Sequence, residues 1–123
     1  MTLSELTVAA ANVVAATQQK LPPEIRPLAR DVPVHYQPIP GEDVLNDGFP
    51  DDILGLFTGN PHGSELEAAN PELPQIILYL ANLWDFAEEN LPAFRAEVRL
   101  TYLHELGHYL GWDEDELTAR GLD

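Results

Sequence analysis

The sequence predicts a mixed fold in which helices near both ends of the chain enclose three short strands. Apolar residues recur at helical intervals in the first and last parts of the chain, whereas the runs 53–58 and 75–80 are almost continuously apolar. Prolines and glycines separate these segments. At 123 residues, of which 45% are hydrophobic, the chain is expected to be a single domain over residues 1–123 with one modest core.

The first helix is predicted to run from Leu3 to about Gln19. Thr2 and Glu5 stand at the spacing of a capping box, in which each side chain binds the backbone N–H of the other residue. Residues at helical spacing on one face are expected to lie in the core: Leu3, Leu6, Ala10, Val13 and Thr17. The paired prolines at 22–23 end this segment, because proline breaks the backbone hydrogen bonding of a helix.

The middle of the chain is predicted to contain three strands: Val32–Gln37, Ile53–Thr58 and Gln75–Leu80. Pro33 assigns the first of them to a sheet edge, because proline cannot donate to a strand ladder. The last is the strongest strand candidate. Pro38–Asp52 and Ser64–Pro74 are predicted loops, and Gly59–Gly63 has the composition of a tight turn.

Two further helices are predicted after the third strand, a short one over Asn82–Glu89 and a long one from Asn90 to Leu110. Asn90 is a favoured N-cap residue, and Pro92 fits the first turn, where a missing N–H costs nothing. Gly111 stands where a left-handed residue is expected to end the long helix.

The chain is strongly acidic, with 21 Asp and Glu residues against 6 Lys and Arg residues and a formal net charge of −15. Such a chain repels phosphate backbones and anionic lipids, so we expect no nucleic-acid or membrane partner. The acidity either favours cationic peptides and divalent metals or serves only to keep the protein soluble. Because the chain has no cysteine, any zinc must be held by imidazole and carboxylate groups.

The N-terminal segment is almost entirely apolar or small between Val8 and Ala16, but it lacks the positive charge that begins an export signal. No apolar run approaches the ~20 residues of a membrane span. We therefore expect a cytoplasmic protein.

An HExxH motif, His104-Glu105-Leu106-Gly107-His108, lies late in the long predicted helix. Four residues slightly exceed one helical turn, so His104 and His108 project from the same face and can bind one metal ion. Glu105 lies about 100° round the helix from His104, where it can act as a general base toward a metal-bound water. The alternative is a pair of surface histidines with a solvated glutamate, but the helical context and the turn at Gly111 favour a metal site.

A catalytic zinc site usually has a third protein ligand. The chain ends 15 residues after His108, which leaves little room for a distant glutamate on a second helix, and its single methionine, Met1, cannot form a methionine turn. The remaining candidates are the carboxylates between Asp113 and Glu116.

The predicted last helix, Glu114–Arg120, gives these carboxylates different roles. If Asp113 is its N-cap, we expect a capping box with Glu116 and a hydrophobic staple between Trp112 and Leu117. Glu114 is therefore the first choice as third ligand, ahead of Asp113 and then Asp115. His35 and His62 are outside candidates, each expected to be an ordinary strand or loop histidine.

The sequence resembles the small bacterial zincin-like metallopeptidases, often called minimal zincins. The resemblance rests on five segments in order: Leu21–Glu24, Leu54–Gly59, Ile76–Tyr79, Glu97–Arg99 and His104–Gly111. It implies an α+β fold, with a small mixed β-sheet packed against the active-site helix and the N-terminal helix. The extended motif of the family ends in Asp or Ser, and Glu114, one methylene longer than Asp, occupies that position here.

The motif and the resemblance together predict a zinc-dependent metallopeptidase that cleaves peptide or protein substrates, with Zn²⁺ bound by His104, His108 and Glu114 and with Glu105 as general base. By analogy, the strand Gln75–Leu80 is expected to run along the cleft and pair with the substrate. Three tyrosines are available either to stabilise an oxyanion or to pack: Tyr79, Tyr102 and Tyr109. The alternatives are a metal-binding or protein-interaction domain with little turnover and a zincin scaffold without metal.

Overall fold

The structure is a computed structural model that describes residues 1–63 and 72–121. The elements within these residues follow in this order: α1 Leu3–Gln19, α2 Arg26–Arg30, β1 Val34–Gln37, α3 Glu42–Asn46, β2 Gly55–Thr58, β3 Gln75–Tyr79, α4 Leu80–Phe86, α5 Leu91–Leu110 and α6 Glu114–Ala119. Most of the predicted loop Ser64–Pro74 lies outside the described residues. In the part of the chain that the structure describes, no helix has the length and apolar character needed to cross a membrane.

The three strands form one small mixed sheet in the order β1-β3-β2. β1 pairs with β3 in parallel and β2 pairs with β3 antiparallel. The predicted α+β fold with a small mixed sheet is therefore confirmed, as is the edge position of β1, which follows Pro33. The expectation that Gln75–Leu80 lines the cleft and pairs with a substrate is wrong, because β3 is the central strand and both of its edges are already bonded.

Helix α5 lies between α1 and the sheet and supplies the centre of the core. Phe94, Val98 and Tyr102 on α5 have no exposed surface. The buried face of α1 consists of five residues: Leu6, Ala9, Ala10, Val14 and Thr17. This face lies slightly round the helix from the predicted one, since Leu3 is 47% exposed and Val13 is only partly buried.

Local sequence signals set the ends of the two long helices. The Thr2 hydroxyl accepts from the Glu5 N–H at 3.1 Å, and the Glu5 carboxylate accepts from the Thr2 N–H at 2.9 Å, which confirms the capping box of α1. At the start of α5, Asn90 Oδ1 accepts from the Ala93 N–H at 2.9 Å. Gly111 ends α5 in the left-handed conformation, with φ of 74°. These contacts confirm the predicted caps and fix the position of the HExxH segment on the helix.

Two short helices were absent from the sequence prediction. α2 has proline in its first turn, and α3 has Glu42 and Asp43 in its first turn, where acidic side chains interact favourably with the helix dipole. Each helix is only five residues long, which is too short for an apolar period to be recognised. The predicted helix Asn82–Glu89 begins two residues earlier, at Leu80, directly after β3.

Candidate metal centre

The two histidines of the HExxH motif face each other on α5, as the spacing predicts. His104 Nε2 and His108 Nε2 are 3.2 Å apart, and the two rings are nearly perpendicular, with an interplanar angle of 86°. The His104 side chain is 44% exposed, and His108 is also exposed. Both side chains are therefore accessible from solvent.

This separation fits a shared zinc ion. Two imidazole nitrogens bound to one tetrahedral zinc at about 2.0–2.1 Å stand roughly 3.3 Å apart. One ligand atom from each of His104, Glu105 and His108 lies within 4.8 Å of the others. The donor set is the nitrogen and oxygen chemistry that zinc accepts in proteins. The residues present thus fit the predicted metal.

Glu105 is held in a different environment from the two histidines. It is only 8% exposed. Burial raises the pKa of its carboxyl group above the ordinary value of 4.5, while His108, His104 and a hydrogen bond from the backbone N–H of Phe57 act in the opposite direction. This hydrogen bond joins the motif on α5 to the strand β2.

A glycine allows β2 to approach α5 closely enough for this contact. A Cβ atom on Gly55 would lie 2.7 Å from Thr101 Cγ2 and 3.4 Å from Glu105 Cγ, so no larger residue fits without a shift. The sequence prediction did not identify Gly55 as a site residue. The available signal was a glycine inside an otherwise apolar strand, which is typical of a close backbone approach.

The turn after α5 brings Glu114 to the site. Gly107 leaves room for this turn, since a Cβ there would lie 3.2 Å from Leu117 Cδ1 and 3.3 Å from the Trp112 carbonyl oxygen. Glu114 Oε1 lies 3.7 Å from His104 Nδ1, the ring nitrogen on the side away from His108. Its side chain is 79% exposed. Glu114 is therefore adjacent to the histidine pair, and its role as third ligand stays a prediction.

The chain matches the family model of the zincin-like metallopeptidases over residues 29–122. The chain belongs to this family. The matched segment covers the sheet, α5 and α6, and the resemblance seen in the sequence is thereby confirmed. Membership implies a divalent metal, typically zinc, and the group His104, Glu105 and His108 could hold one. No individual curated protein shows significant similarity to the chain.

The zincin-like site has an acidic segment on its α6 side, and the contacts there differ in part from the prediction. Asp113 Oδ1 accepts from the Glu116 N–H at 2.9 Å, which confirms Asp113 as the N-cap of α6. The Glu116 carboxylate, however, accepts from Arg120 Nε at 3.2 Å, where a capping box was expected. The Arg120 guanidinium also stacks over the Trp112 ring, 3.9 Å from its centroid. The predicted capping box is therefore wrong: the Asp113 half is present, and the Glu116 side chain binds Arg120 instead.

The two outside candidates, His35 and His62, are not in the group that could hold a metal. His35 is an exposed residue of β1, the sheet edge opposite β2. His62 follows β2, and its backbone N–H donates to the Tyr109 carbonyl oxygen at 2.7 Å. Its Nδ1 lies 3.3 Å from the Tyr109 hydroxyl. These contacts attach the turn after β2 to α5 beside the candidate metal centre.

The three tyrosines lie in different surroundings. Tyr79 is buried with Leu56 and Ile77 in a cluster separate from the main core. The Tyr102 hydroxyl accepts from Gln18 Nε2 at 3.0 Å, between α5 and α1. Tyr109 contacts His62, as described above. The Tyr102 hydroxyl therefore joins α5 to α1, which is a structural role.

Proposed function

We propose that this protein is a zinc-dependent metallopeptidase in which His104, His108 and Glu114 hold Zn²⁺ and Glu105 is the general base. The observation that carries the proposal is the 3.2 Å approach of the two histidine Nε2 atoms beside a buried glutamate. Membership of the zincin-like metallopeptidase family supports the same reading.

Bound zinc would polarise the scissile carbonyl and lower the pKa of water at the site. The chain itself supplies the proton transfers. Glu105 accepts a proton from the attacking water and later delivers it to the leaving amine. Burial favours the protonated form of Glu105, which helps the carboxyl group to retain the proton between these two steps.

The strand that supports substrate binding in this proposal is β2. β2 is an edge strand of the sheet, and Glu105 accepts from the N–H of its residue Phe57. An extended peptide can add to such an edge through main-chain hydrogen bonds, which would align it along the motif. β3, the strand favoured by the sequence, has no edge left for this purpose.

The proposal includes a peptide or protein as substrate and no nucleic acid or membrane as partner, which the net charge of −15 supports. A cytoplasmic location is also part of the proposal. It is supported by the absence of cysteine, which is compatible with a reducing compartment.

The test is a cleavage screen of a diverse peptide library with zinc-loaded protein. The wild type is expected to cleave some members, and Glu105→Gln is expected to keep its zinc and lose hydrolysis. Glu97→Gln, the same substitution two turns earlier on α5, is the matched control and should retain activity. If the fully loaded wild type cleaves nothing, the peptidase proposal fails and the alternative of a zinc-binding or interaction domain with little turnover replaces it.

A further inference from the structure

A cavity of about 530 Å³ opens beside the proposed catalytic centre, a volume in the range of small-molecule binding sites. Its apolar wall is formed by five side chains: Phe49, Ile53, Leu56, Phe57 and Pro61. Two glycines of the β2 segment, Gly55 and Gly59, also line it. Among the described residues, the ionisable side chains in this lining are Glu105 and His108, which the proposed reaction already uses.

The apolar wall is held in place by neighbouring elements. Asn82 Nδ2 donates to the carbonyl oxygens of Asp51 and Ile53, each at 2.9 Å, and so attaches the segment before β2 to α4. Val44 of α3 packs with Ile53 against the cluster that contains Leu56. The cavity is therefore a feature of the folded chain at rest, and binding does not require it to be assembled.

A second cavity, of about 400 Å³, lies on the His104 side of the same glutamate. It shares Ile53, Gly55 and Glu105 with the first cavity. A peptide lying along β2 would thus pass Glu105 with one cavity on each side. The larger one is open to a bulky side chain next to the bond that is cut.

The segments around the larger cavity carry negative charge. The sequence has no lysine or arginine between residues 31 and 94, a range that includes β2 and every apolar residue of the wall. The stretch that leads into the wall has five exposed carboxylates: Glu42, Asp43, Asp47, Asp51 and Asp52. Such an arrangement attracts cationic peptides and repels anionic ones.

We propose that the cleft selects peptides that place a large apolar side chain, such as leucine or phenylalanine, beside the scissile bond and carry lysine or arginine in flanking positions. The inference rests on the proposed peptidase function. The apolar cavity selects the side chain, and the exposed carboxylates of the stretch that leads into its wall select the charge of the flanks. If the acidity served only solubility, the sign of the flanking charges would make no difference.

The test uses one series of extended peptides that differ at the central residue (Phe, Leu or Ala) and in the flanks (Lys, neutral or Glu). Cleavage is measured with the zinc-loaded wild type and binding with zinc-loaded Glu105→Gln. Replacing the apolar residue by Ala is expected to lower kcat/KM on the order of 10- to 100-fold. Changing Lys flanks to neutral ones should lower it roughly two- to fivefold at low salt, a difference that high salt removes.

Matched variants locate the two effects. Phe49→Ala should reduce the Phe-to-Ala preference, whereas Phe86→Ala, at another exposed phenylalanine outside the cavity lining, should leave it unchanged. Asp51→Asn with Asp52→Asn should reduce the Lys-to-Glu preference, and Asp85→Asn with Glu24→Gln should not. Each preference is a ratio within one variant, so differences in the folded fraction cancel.

Cleavage without either preference would overturn the inference and leave the peptidase function standing. If no peptide is cleaved, the proposed peptidase function fails. The binding of the same peptides to zinc-loaded Glu105→Gln then tests the predicted peptide preference by itself. Tighter binding of the apolar, Lys-flanked peptides supports the inference, and equal binding of all peptides overturns it.

Discussion

At the scale of single residues, Glu105 is buried while the two histidines around it are open to solvent. Burial destabilises the ionised carboxylate, and the neighbouring histidines with the Phe57 N–H offset only part of this cost, because the net shift of the Glu105 pKa is upward. An ionised glutamate in such surroundings lowers the stability of the folded protein. Ionisable groups of this kind are typical of functional sites, so the burial of Glu105 favours a functional role over a structural one.

This environment predicts how the stability of the metal-free protein depends on pH. Because the folded pKa of Glu105 is raised above 4.5, the folded state holds more protons than the unfolded state just above that value. Stability is therefore fully present below pH 4.5 and falls as pH rises through the folded pKa. Glu105→Gln cannot ionise, so in urea unfolding it should be more stable than the wild type at pH 7.5 and about equal at pH 4. The same difference at both pH values would contradict the raised pKa.

Glu114 has two possible relations to the metal, and they can be measured. Its present contact is with His104 Nδ1 at 3.7 Å, which suits an orienting carboxylate, and its 79% exposed side chain is free to turn toward the metal side. We predict the ligand role. A crystal structure of the zinc-loaded wild type should then show a Glu114 carboxylate oxygen at about 2.0–2.2 Å from the zinc. A Glu114 carboxylate that stays beside His104 Nδ1, away from the zinc, would assign it to orienting His104.

At the scale of elements, the contact between β2 and α5 depends on the absence of a side chain at residue 55. Gly55→Ala should push β2 from α5, since the new Cβ would meet Thr101 Cγ2 at 2.7 Å. The expected loss is about 1–3 kcal/mol in the free energy of unfolding, together with weaker peptidase activity.

A second substitution tests the cause of that loss. Thr101→Ser removes the Cγ2 methyl group and should restore part of the stability of Gly55→Ala, although on its own it should cost stability by leaving a gap. Urea unfolding of the wild type, the two single variants and the double variant gives the coupling energy between residues 55 and 101. Additive effects would show that the crowding lies elsewhere, for example at the Ile77 carbonyl oxygen, 3.2 Å from the new Cβ.

The helix that carries the motif could be predicted from sequence because its determinants are local. Asn90, Gly111 and the spacing of His104 and His108 each act within one or two turns of the chain. The order of the strands could not be predicted in this way, because pairing joins residues that are distant in sequence. Analogy with zincins assigned β3 to the cleft, although its unbroken apolar run is typical of strands buried on both faces.

At the candidate site, the position of Glu114 is likewise set in part by local sequence and in part by packing that the sequence does not reveal. Its spacing from His104 and the glycine turn predicted a metal ligand. The structure places Glu114 beside the histidine pair, and the ligand role itself stays a prediction. The ring nitrogen that it faces depends on side-chain rotation and on packing of Leu117 against Gly107, which the sequence pattern does not contain.

At the scale of the whole molecule, the proposed zinc ion would join α5 to α6. α6 is a six-residue helix with one buried residue, Leu117, so it has little apolar contact of its own. A ligand that binds only the folded state stabilises it by about 2.7 kcal/mol at a free concentration of roughly one hundred times its Kd. Chelation should therefore lower the Tm of the wild type and leave the Tm of His108→Ala unchanged. An equal Tm for the wild type before and after chelation would count against the tie between the two helices.

The single-domain organisation over residues 1–123 stays a prediction. The described core joins α1, α5 and the sheet, and the motif lies where α5 meets β2. The candidate site is built from one long helix and one strand edge, so all its elements come from this single folded unit.

The central claim is that His104 and His108 together hold one zinc ion. The most direct measurement is an equilibrium titration of the chelated and dialysed protein with Zn²⁺ against a chromophoric competitor, carried out on the wild type, His104→Ala, His108→Ala and the exposed-histidine control His35→Ala. We predict one tight site per chain in the wild type and in His35→Ala, and its loss in both motif variants. Tight binding that survives in either motif variant, or no binding by the wild type, would contradict the assignment of the site.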